Sequence, residues 1–166
     1  MAEIELLPVA SADLTRLREL ALITWEPTYR DILSQEQIYF MQEEIYAETA
    51  LQEQARKGQQ FYFITRQLEP IGFAGISVLI PEEGRYKLNK LYLIPEMQGK
   101  GFGRAAIEAA AELVRKQSGK VLELNVNRFN RAKDFYERCG FTVIREEDIP
   151  IGAYWMNDFV MAKKLD

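Results

Sequence analysis

The sequence predicts an α/β protein with a mixed, mostly antiparallel central sheet, flanking helices and one parallel strand–helix–strand crossover. Three strand-like runs joined by short turns predict the antiparallel part. An alanine-rich helical pattern between two strand-like runs predicts the crossover. With 166 residues, of which 48% are hydrophobic, the chain has the size and apolar content of one domain over residues 1–166.

The first part of the chain predicts one strand followed by helices. Residues 3–9, EIELLPV, form a short apolar run typical of a strand. A helix is expected next, with Ser11 as its N-cap and apolar side chains recurring at helical spacing up to Trp25. Two further helical patterns cover about residues 34–42 and 43–57, and Gly58 is the expected C-cap. The aromatic content of these segments suits helices that line a cleft.

The remainder of the chain predicts the sheet. Strand-like runs over residues 61–67, 71–80 and 85–94 alternate with short turns, which predicts an antiparallel meander. After Pro95, a glycine-rich segment opens a helix that runs to about residue 117, and VLELNVN (121–127) predicts another strand. This order implies a parallel, right-handed crossover. A last helix begins near Asn130 and stops at Gly140, and two closing strands follow.

The composition excludes several kinds of chemistry. The chain has no histidine and one cysteine, Cys139. Serine–histidine triads, histidine metal sites, zinc clusters and internal disulfides are therefore excluded, and no metal is expected. Cys139 falls on the apolar stripe of the last predicted helix and is interpreted as a small core residue.

Charge and hydropathy limit the partners. The net charge of −4 gives no general attraction to nucleic acid or to anionic lipid, so neither is expected as a partner. The first residues, MAEIELLPVA, lack a basic segment followed by an apolar stretch, and no later run is long enough to cross a bilayer. We therefore expect a soluble, cytoplasmic protein. Pairing of two copies into a homodimer stays open.

A glycine-rich loop carries the main functional signal. Gly99, Gly101 and Gly103 occupy alternate positions where a strand gives way to a helix. Glycine allows the backbone to approach a ligand closely, and the free N–H groups at a helix N-terminus favour a diphosphate. The segment therefore predicts a pyrophosphate site, although a plain glycine-rich turn would show the same pattern.

Two other nucleotide motifs must be weighed against this loop. The P-loop pattern requires Gly-Lys followed by Ser or Thr, whereas Lys100 is followed by Gly101, so that motif is excluded. The dinucleotide fingerprint fits better, because Gly101, Gly103 and Ala106 match GxGxxA and Glu123 lies at a suitable distance for a ribose contact. Four residues separate the predicted strand from the loop, however, so a dinucleotide-binding protein is the less favoured alternative.

The run LYLIPEMQGKGFGRAAI, followed by NRAKDFYERCGF, resembles the GNAT superfamily of N-acetyltransferases. The resemblance implies acetyl-CoA as acetyl donor, with the pantetheine arm and acetyl carbonyl on the backbone of Leu91, Tyr92 and Leu93. It also implies a pantetheine contact from Asn130, whose own sequence position favours a helix N-cap. The pyrophosphate would then be held by the loop residues Gln98, Gly99, Lys100, Gly101, Phe102, Gly103 and Arg104.

The same resemblance assigns candidate catalytic groups. Tyr136 in FYERCGF occupies the place of the tyrosine that protonates the departing thiolate, although its spacing alone equally fits a core tyrosine. Many relatives carry a glutamate near the position of Asn89, and asparagine cannot accept a proton. Glu123 is the nearest substitute as general base, and a solvated strand residue or a water chain to bulk solvent are the alternatives.

The acceptor is expected to be a small primary amine. Glu26, Tyr29 and Asp158 supply carboxylates and an aromatic ring suited to a cationic amine. The flanks TWEPTYRDILSQEQIYFM and NDFVMAKKL are similar to the bacterial branch that includes spermidine and spermine acetyltransferases, which implies a di- or polyamine. The rival hypothesis from another class is a non-catalytic acetyl-CoA-binding module.

Overall fold

The structure is a computed structural model that describes residues 3–166. The described chain alternates helices with the strands of one sheet. In chain order its elements are β1 (Glu5–Pro8), α1 (Leu14–Tyr29), α2 (Gln35–Tyr46), α3 (Glu48–Arg56), β2 (Gln60–Arg66), β3 (Glu69–Ile80), β4 (Arg85–Leu93), α4 (Phe102–Lys116), β5 (Val121–Asn127), α5 (Ala132–Arg138), β6 (Thr142–Ile151) and β7 (Tyr154–Lys164).

The sheet has seven strands in the order β1-β2-β3-β4-β5-β7-β6. Strands β4 and β5 run parallel, and each other neighbouring pair in the described sheet is antiparallel. The parallel pair is joined through α4, which is the predicted crossover. The predicted fold class, a mixed and mostly antiparallel sheet with flanking helices, is therefore confirmed.

Two predicted helix boundaries are wrong. Ser11 does not cap α1, because residues 11–13 form a separate 3-10 turn and α1 begins at Leu14. The boundary expected between residues 42 and 43 lies instead at Ala47, where ψ is 144° and the helix stops. Tyr46 belongs to α2 because its ring is buried and its hydroxyl accepts a hydrogen bond from Trp25 Nε1 at 3.0 Å. This long-range contact is invisible to a local helical pattern.

The helices divide the core between the two faces of the sheet. Side chains of α1, α2 and α3 pack with Phe61, Phe63 and Phe73 on one face. The other face is packed by α4 together with apolar residues of β5, including Leu122 and Leu124. We call these the α1 face and the α4 face. No helix within residues 3–166 is long and apolar enough to cross a membrane.

The parallel pair positions the functional site. Strands β4 and β5 are paired from Arg85↔Val121 to Leu88↔Leu124, and the ladder ends there although both strands continue. The C-terminal halves of the two strands are therefore unpaired with each other. A cleft lies between them.

Candidate active site

The cleft has a volume of about 970 Å³ and is lined by the separated ends of β4 and β5. The end of α1, the glycine-rich loop and α5 complete its walls. A cleft of this volume lies near the upper end of the range for small-molecule and cofactor sites. Most of the residues singled out in the sequence line it, namely Tyr29, Leu91, Tyr92, Leu93, Gln98, Gly99, Gly101, Gly103, Arg104, Asn130 and Tyr136.

Strand β4 presents a free backbone edge to the cleft. On one edge Leu91, Tyr92 and Leu93 pair with β3, which approaches so closely that a Cβ on Gly72 would lie 2.1 Å from the Tyr92 carbonyl oxygen. The opposite edge of Leu91–Leu93 is not paired with β5, because the β4–β5 ladder ends at Leu88. Its N–H and C=O groups need partners. An extended, amide-containing chain such as pantetheine matches that requirement.

The glycine-rich loop opens into the N-terminus of α4. Gly99 and Gly101 have φ values of 74° and 86°, which L-residues other than glycine rarely adopt, and nothing lies within 4 Å of a Cβ built on either. Gly101 precedes the first helical residue, and no side chain caps that end of the helix. The first N–H groups of α4 are therefore free for an anion. A pyrophosphate fits this loop.

Two loop residues lie outside the cleft lining. Lys100 is exposed, and the side chain of Phe102 is buried in a small core cluster with Ile64 and Ile71. Arg66 stacks its guanidinium over the Phe102 ring at 5.0 Å. The contribution of Phe102 to a ligand is thus limited to its backbone N–H.

Asn130 lies at the start of the turn that leads into α5. The predicted N-cap is off by one residue, because α5 begins at Ala132 and its N-cap is Arg131, which makes no side-chain capping contact. Asn130 Oδ1 accepts a hydrogen bond from the Ala132 N–H at 2.9 Å from one position earlier. No group within residues 3–166 contacts its Nδ2 at hydrogen-bonding distance, and Asn130 lines the cleft. Asn130 Oδ1 therefore holds the turn before α5, and Asn130 Nδ2 is available to donate to a ligand.

Tyr136 projects from α5 into the cleft. Its ring packs against Phe135 and Phe141, at centroid distances of 5.4 and 5.9 Å. Burial raises the pKa of its hydroxyl above the ordinary value, and the neighbouring Cys139 adds to the shift. No described group hydrogen-bonds to this hydroxyl. Tyr136 therefore carries a retained proton that faces the cleft.

The buried cysteine agrees with its sequence interpretation. Cys139 is 4% exposed within the core of the α4 face, and burial raises the pKa of its thiol. A raised pKa disfavours the nucleophilic thiolate. The prediction that Cys139 is a small core residue is confirmed.

Glu123 is not brought to the cleft. It lies on the α1 face of β5, where Arg85 donates to Oε2 at 2.7 Å and Arg145 donates to Oε1 at 3.4 Å. Its side chain is only 4% exposed, and it is absent from the cleft lining among the described residues. With both oxygens paired to guanidinium groups, the carboxylate has the contacts of a structural ion pair. The geometry does not favour it as the general base.

The acceptor side of the cleft contains a cluster of aromatic residues. The hydroxyls of Tyr29 and Tyr92 lie 3.0 Å apart, and Trp25 packs against both rings at centroid distances of 4.5 and 6.1 Å. Burial raises the pKa of both hydroxyls, so both tyrosines stay neutral. The cluster forms a rigid wall that offers a hydroxyl pair and ring faces to a ligand.

The two predicted acceptor carboxylates lie behind the lining. Asp158 on β7 is 5% exposed, and its Oδ2 accepts a hydrogen bond from Asn125 Nδ2 at 3.2 Å. Burial raises the pKa of the Asp158 carboxyl. Glu26 pairs with Arg30 at 3.0 Å on the outer side of α1. Neither residue is part of the described lining. Asp158 is hydrogen-bonded to a lining residue, Asn125, whereas the ion pair of Glu26 is with Arg30.

Several lining residues were missed by the sequence interpretation. Asp31 adds a carboxylate to the lining, Asn125 adds an amide, and the exposed Phe129 and Arg131 line the cleft as well. The position of Asn89 was noted in the sequence only as a departure from the family pattern, yet its side chain lines the cleft. No local motif marks these residues, because elements far apart in sequence bring them together.

Comparisons with known proteins agree with this geometry. A spermidine N(1)-acetyltransferase of Thermoplasma acidophilum is 27% identical over 98% of both chains. An uncharacterized N-acetyltransferase of Lactobacillus delbrueckii subsp. lactis is 26% identical over 99% of both. The crystal structure of the PaiA N-acetyltransferase from Thermoplasma acidophilum, in complex with coenzyme A, superposes with a TM-score of 0.78 at 29% identity and covers 98% of this chain and 99% of that chain.

A family match covers most of the chain. Residues 16–141 match the Acetyltransferase (GNAT) family, a span that contains the glycine-rich loop, the separated strands and the α5 tyrosine. The dinucleotide alternative is thereby removed. The chain belongs to the GNAT family of N-acetyltransferases, whose acetyl donor is acetyl-CoA.

Proposed function

We propose that this N-acetyltransferase transfers the acetyl group of acetyl-CoA directly to a primary amine of a small di- or polyamine. The observation that carries the proposal is the composition of this cleft. One end combines a free strand edge with an uncapped helix N-terminus. The other combines the Tyr29–Tyr92 wall with the lining carboxylate of Asp31, and the Asp158 carboxylate lies directly behind the lining residue Asn125. When bound, acetyl-CoA supplies an acetyl thioester as the activated group.

The donor end would bind through backbone groups. We assign the pantetheine arm to the free edge of Leu91–Leu93 and to Asn130 Nδ2, and the pyrophosphate to residues 98–104. The positive φ values of Gly99 and Gly101 and the free N–H groups of α4 support the second assignment. Arg104 lines the cleft and adds positive charge, whereas the exposed Lys100 contributes only at longer range.

Tyr136 would hold the proton that the departing thiolate receives. A general acid must keep its proton at neutral pH and present it to the leaving group. Burial raises the pKa of this hydroxyl, and no described residue competes for it. These two properties support the role.

The acceptor end would bind the cationic chain of the amine. Polyamines carry several ammonium groups separated by methylenes. The ammonium groups can bind to carboxylates and to the faces of aromatic rings. Tyr29 supplies the ring, and Asp158 supplies a buried carboxylate for the distal ammonium. The spermidine acetyltransferase relative, which covers 98% of this chain, adds support from sequence. Glu26 would contribute only a long-range electrostatic attraction to the cationic amine, because its carboxylate is paired with Arg30 at the surface.

The proton of the incoming ammonium would leave to solvent. Glu123 was the sequence-based candidate for a general base, but its two oxygens are engaged by Arg85 and Arg145. The open cleft gives the amine a direct route to water instead. We propose that the amine reacts from its neutral form after this loss.

A steady-state assay tests the proposal. Purified protein is incubated with acetyl-CoA and a panel of amines, and free thiol is followed while mass spectrometry identifies the product. Acetylation of spermidine, spermine or a diamine above amino acids and peptides is the expected result. Thiol release only with peptide N-termini or aminoglycosides would remove the polyamine assignment. Binding of acetyl-CoA by calorimetry without turnover of any amine would favour the non-catalytic module.

A further inference from the structure

Strands β4 and β5 carry an asparagine each at the point where they separate. The parallel ladder ends with the pair Leu88↔Leu124, so the next residues are Asn89 and Asn125. Both are half-buried and both line the cleft. Two amides therefore stand at the base of the fork, between the donor and acceptor ends of the cleft.

The orientation of the Asn89 amide is fixed by its contacts. Its Nδ2 donates to Ser77 Oγ at 2.8 Å and to the Lys87 carbonyl oxygen at 3.3 Å. A carbonyl oxygen can only accept, so the amide nitrogen must point toward it. The Oδ1 atom is left facing away, and no described donor contacts it.

A β-bulge aims this amide. The register between β3 and β4 passes from Gly75↔Lys90 to Ile76↔Leu88, which leaves Asn89 without a register partner on β3, although its side chain reaches Ser77. An extra residue of this kind bends the strand and redirects a side chain, and such bulges are common beside active sites. Asn89 thereby lines the cleft together with its neighbour Leu88.

The Asn125 amide is oriented in the same sense. Its Nδ2 donates to the Asp158 carboxylate oxygen at 3.2 Å, so its Oδ1 is the atom left without a described donor. Lys87 and Glu123 are partners in the ladder, and Asn89 and Asn125 each follow two residues later. Residues two apart share a face of a regular strand, so Asn125 lies on the α1 face with Glu123. Ser77 pairs with Lys87, the ladder partner of Glu123, and its contact with Asn89 Nδ2 places the Asn89 amide on the same face, where the Tyr29–Tyr92 wall lies.

We propose that the Oδ1 atoms of Asn89 and Asn125 accept the two N–H bonds of the attacking primary amine and so aim its lone pair at the acetyl carbonyl carbon. This inference rests on the proposed function. The nitrogen forms its bond to the carbonyl carbon while the carbon–sulfur bond breaks with its electron pair going to sulfur. The thiolate takes the Tyr136 proton, one N–H proton of the attacking amine is lost to solvent, and Tyr136 regains a proton from solvent. Asn89 and Asn125 do not change protonation state.

Neutral amide oxygens suit this position better than carboxylates. A carboxylate would favour the ammonium form, which has no lone pair and cannot attack. An amide oxygen accepts an N–H bond from the neutral amine without the same charge preference. Ser77, Lys87 and Asp158 hold the two amides in place and act as positioning groups.

The first test separates acceptor binding from donor binding. We expect Asn89→Ala and Asn125→Ala each to lower kcat/KM for spermidine by about 10-fold or more, the loss of one hydrogen bond to a polar ligand. We expect the Kd for coenzyme A, measured by calorimetry, to stay within about two-fold. Ser77→Ala should give a smaller loss of the same kind. Asn157→Ala, on β7 outside the described cleft lining, is the matched control.

The second test uses the isosteric variant Asn89→Asp, which preserves shape if alanine fails to fold. The added carboxylate should raise the pKa of the bound amine, so the alkaline rise of kcat, which reports the enzyme–substrate complex, should move up by about one pH unit. Calorimetric titration of spermidine into the coenzyme A complex should show weaker binding in Asn89→Ala. These readouts would not move if the amides only stabilised the strands.

The failure of this inference differs from the failure of the proposed function. If the wild-type protein acetylates no amine, the proposed function is wrong. If it acetylates polyamines while both alanine variants keep wild-type kcat/KM, or while they lose coenzyme A affinity instead, the amides do not hold the amine. An unchanged pH profile in Asn89→Asp would overturn the inference as well.

Discussion

Lys90 is the most deeply buried cation of the described chain, at 7% exposure. Its Nζ donates to Gln54 Oε1 at 2.6 Å and to Gln59 Oε1 at 2.8 Å, and it lies over the rings of Tyr46 and Phe61 at 5.7 and 5.4 Å. These neighbours bring no negative charge to Lys90. Burial lowers the pKa of Lys90 to about 7, and the nearby Lys87 adds to the shift.

The shift makes stability depend on pH. A fall from 10.5 to about 7 corresponds to about 5 kcal/mol at ~1.4 kcal/mol per unit, an upper value because amide oxygens and ring faces favour the ammonium. Between the two pKa values the unfolded chain binds more protons than the folded one, so the free energy of unfolding rises with pH. Below about pH 7 both states are protonated, and the full cost of burying the charge remains.

Lys90→Met removes this titration while it keeps the length of the side chain. From pH 7 to pH 9 we expect the wild-type free energy of unfolding to rise by about 2 kcal/mol relative to Lys90→Met. The measurement is urea unfolding followed by circular dichroism at several pH values, with m held common. Lys116→Met, on the exposed end of α4, controls for the substitution itself.

Subtracting the free energy of unfolding of Lys90→Met cancels the contributions of other groups that titrate in this range, including the Cys139 thiol. A difference between wild type and Lys90→Met that stays constant within about 0.5 kcal/mol from pH 6 to pH 9 would refute the reasoning, since the extrapolation error is of that order. It would mean that the glutamine oxygens and the rings offset the desolvation of the ammonium completely.

Three further predictions concern the proposed reaction and its scaffold. Tyr136→Phe should lower kcat by about 100-fold or more, the usual contribution of a general acid, with the Kd of coenzyme A within a few-fold; unchanged turnover would exclude the assignment. Asp158→Asn, measured on spermidine, should raise KM far more than it lowers kcat. The new amide oxygen can still accept from Asn125 Nδ2, whereas the charge that binds the distal ammonium in the ground and transition states alike is lost; a fall in kcat with KM unchanged would contradict this. Glu123→Gln should leave kcat within about two-fold and the pH profile of kcat unshifted. It should lower the free energy of unfolding by about 1–3 kcal/mol, because Arg85 and Arg145 lose a buried charged partner. A shifted pH–rate profile would instead support Glu123 as the general base.

Local sequence was sufficient for the elements that have local causes. The meander was predicted because its strands are short, apolar and separated by turn residues, and the observed β2, β3 and β4 lie within two residues of the predicted bounds. The loop was predicted because Gly99 and Gly101 need a positive φ, which is a property of the residue itself. The hydrogen bond from the Ala132 N–H to Asn130 Oδ1 is equally local, although the N-cap of α5 is Arg131 and not Asn130 as predicted.

The errors arose where long-range contacts override local pattern. The end of α2 was placed too early because Tyr46 is held in the helix by Trp25, 21 residues away. Glu123 looked like an exposed strand residue because alternation reveals the face of a strand but not what covers it. Arg85 and Arg145 come from β4 and β6, and only the sheet order brings both near the carboxylate.

The sequence by itself determined the fold class, the family and the glycine-rich loop, because periodicity, turn residues and glycine spacing are encoded in neighbouring positions. Only the tertiary structure decided which side chains share the cleft. The last rung of the parallel ladder at Leu88↔Leu124 sets where the strands separate, and it places Asn89 beside Asn125 across 36 residues of sequence. Strand register is fixed by packing on both faces of the sheet, so the composition of the acceptor end follows from the assembled core.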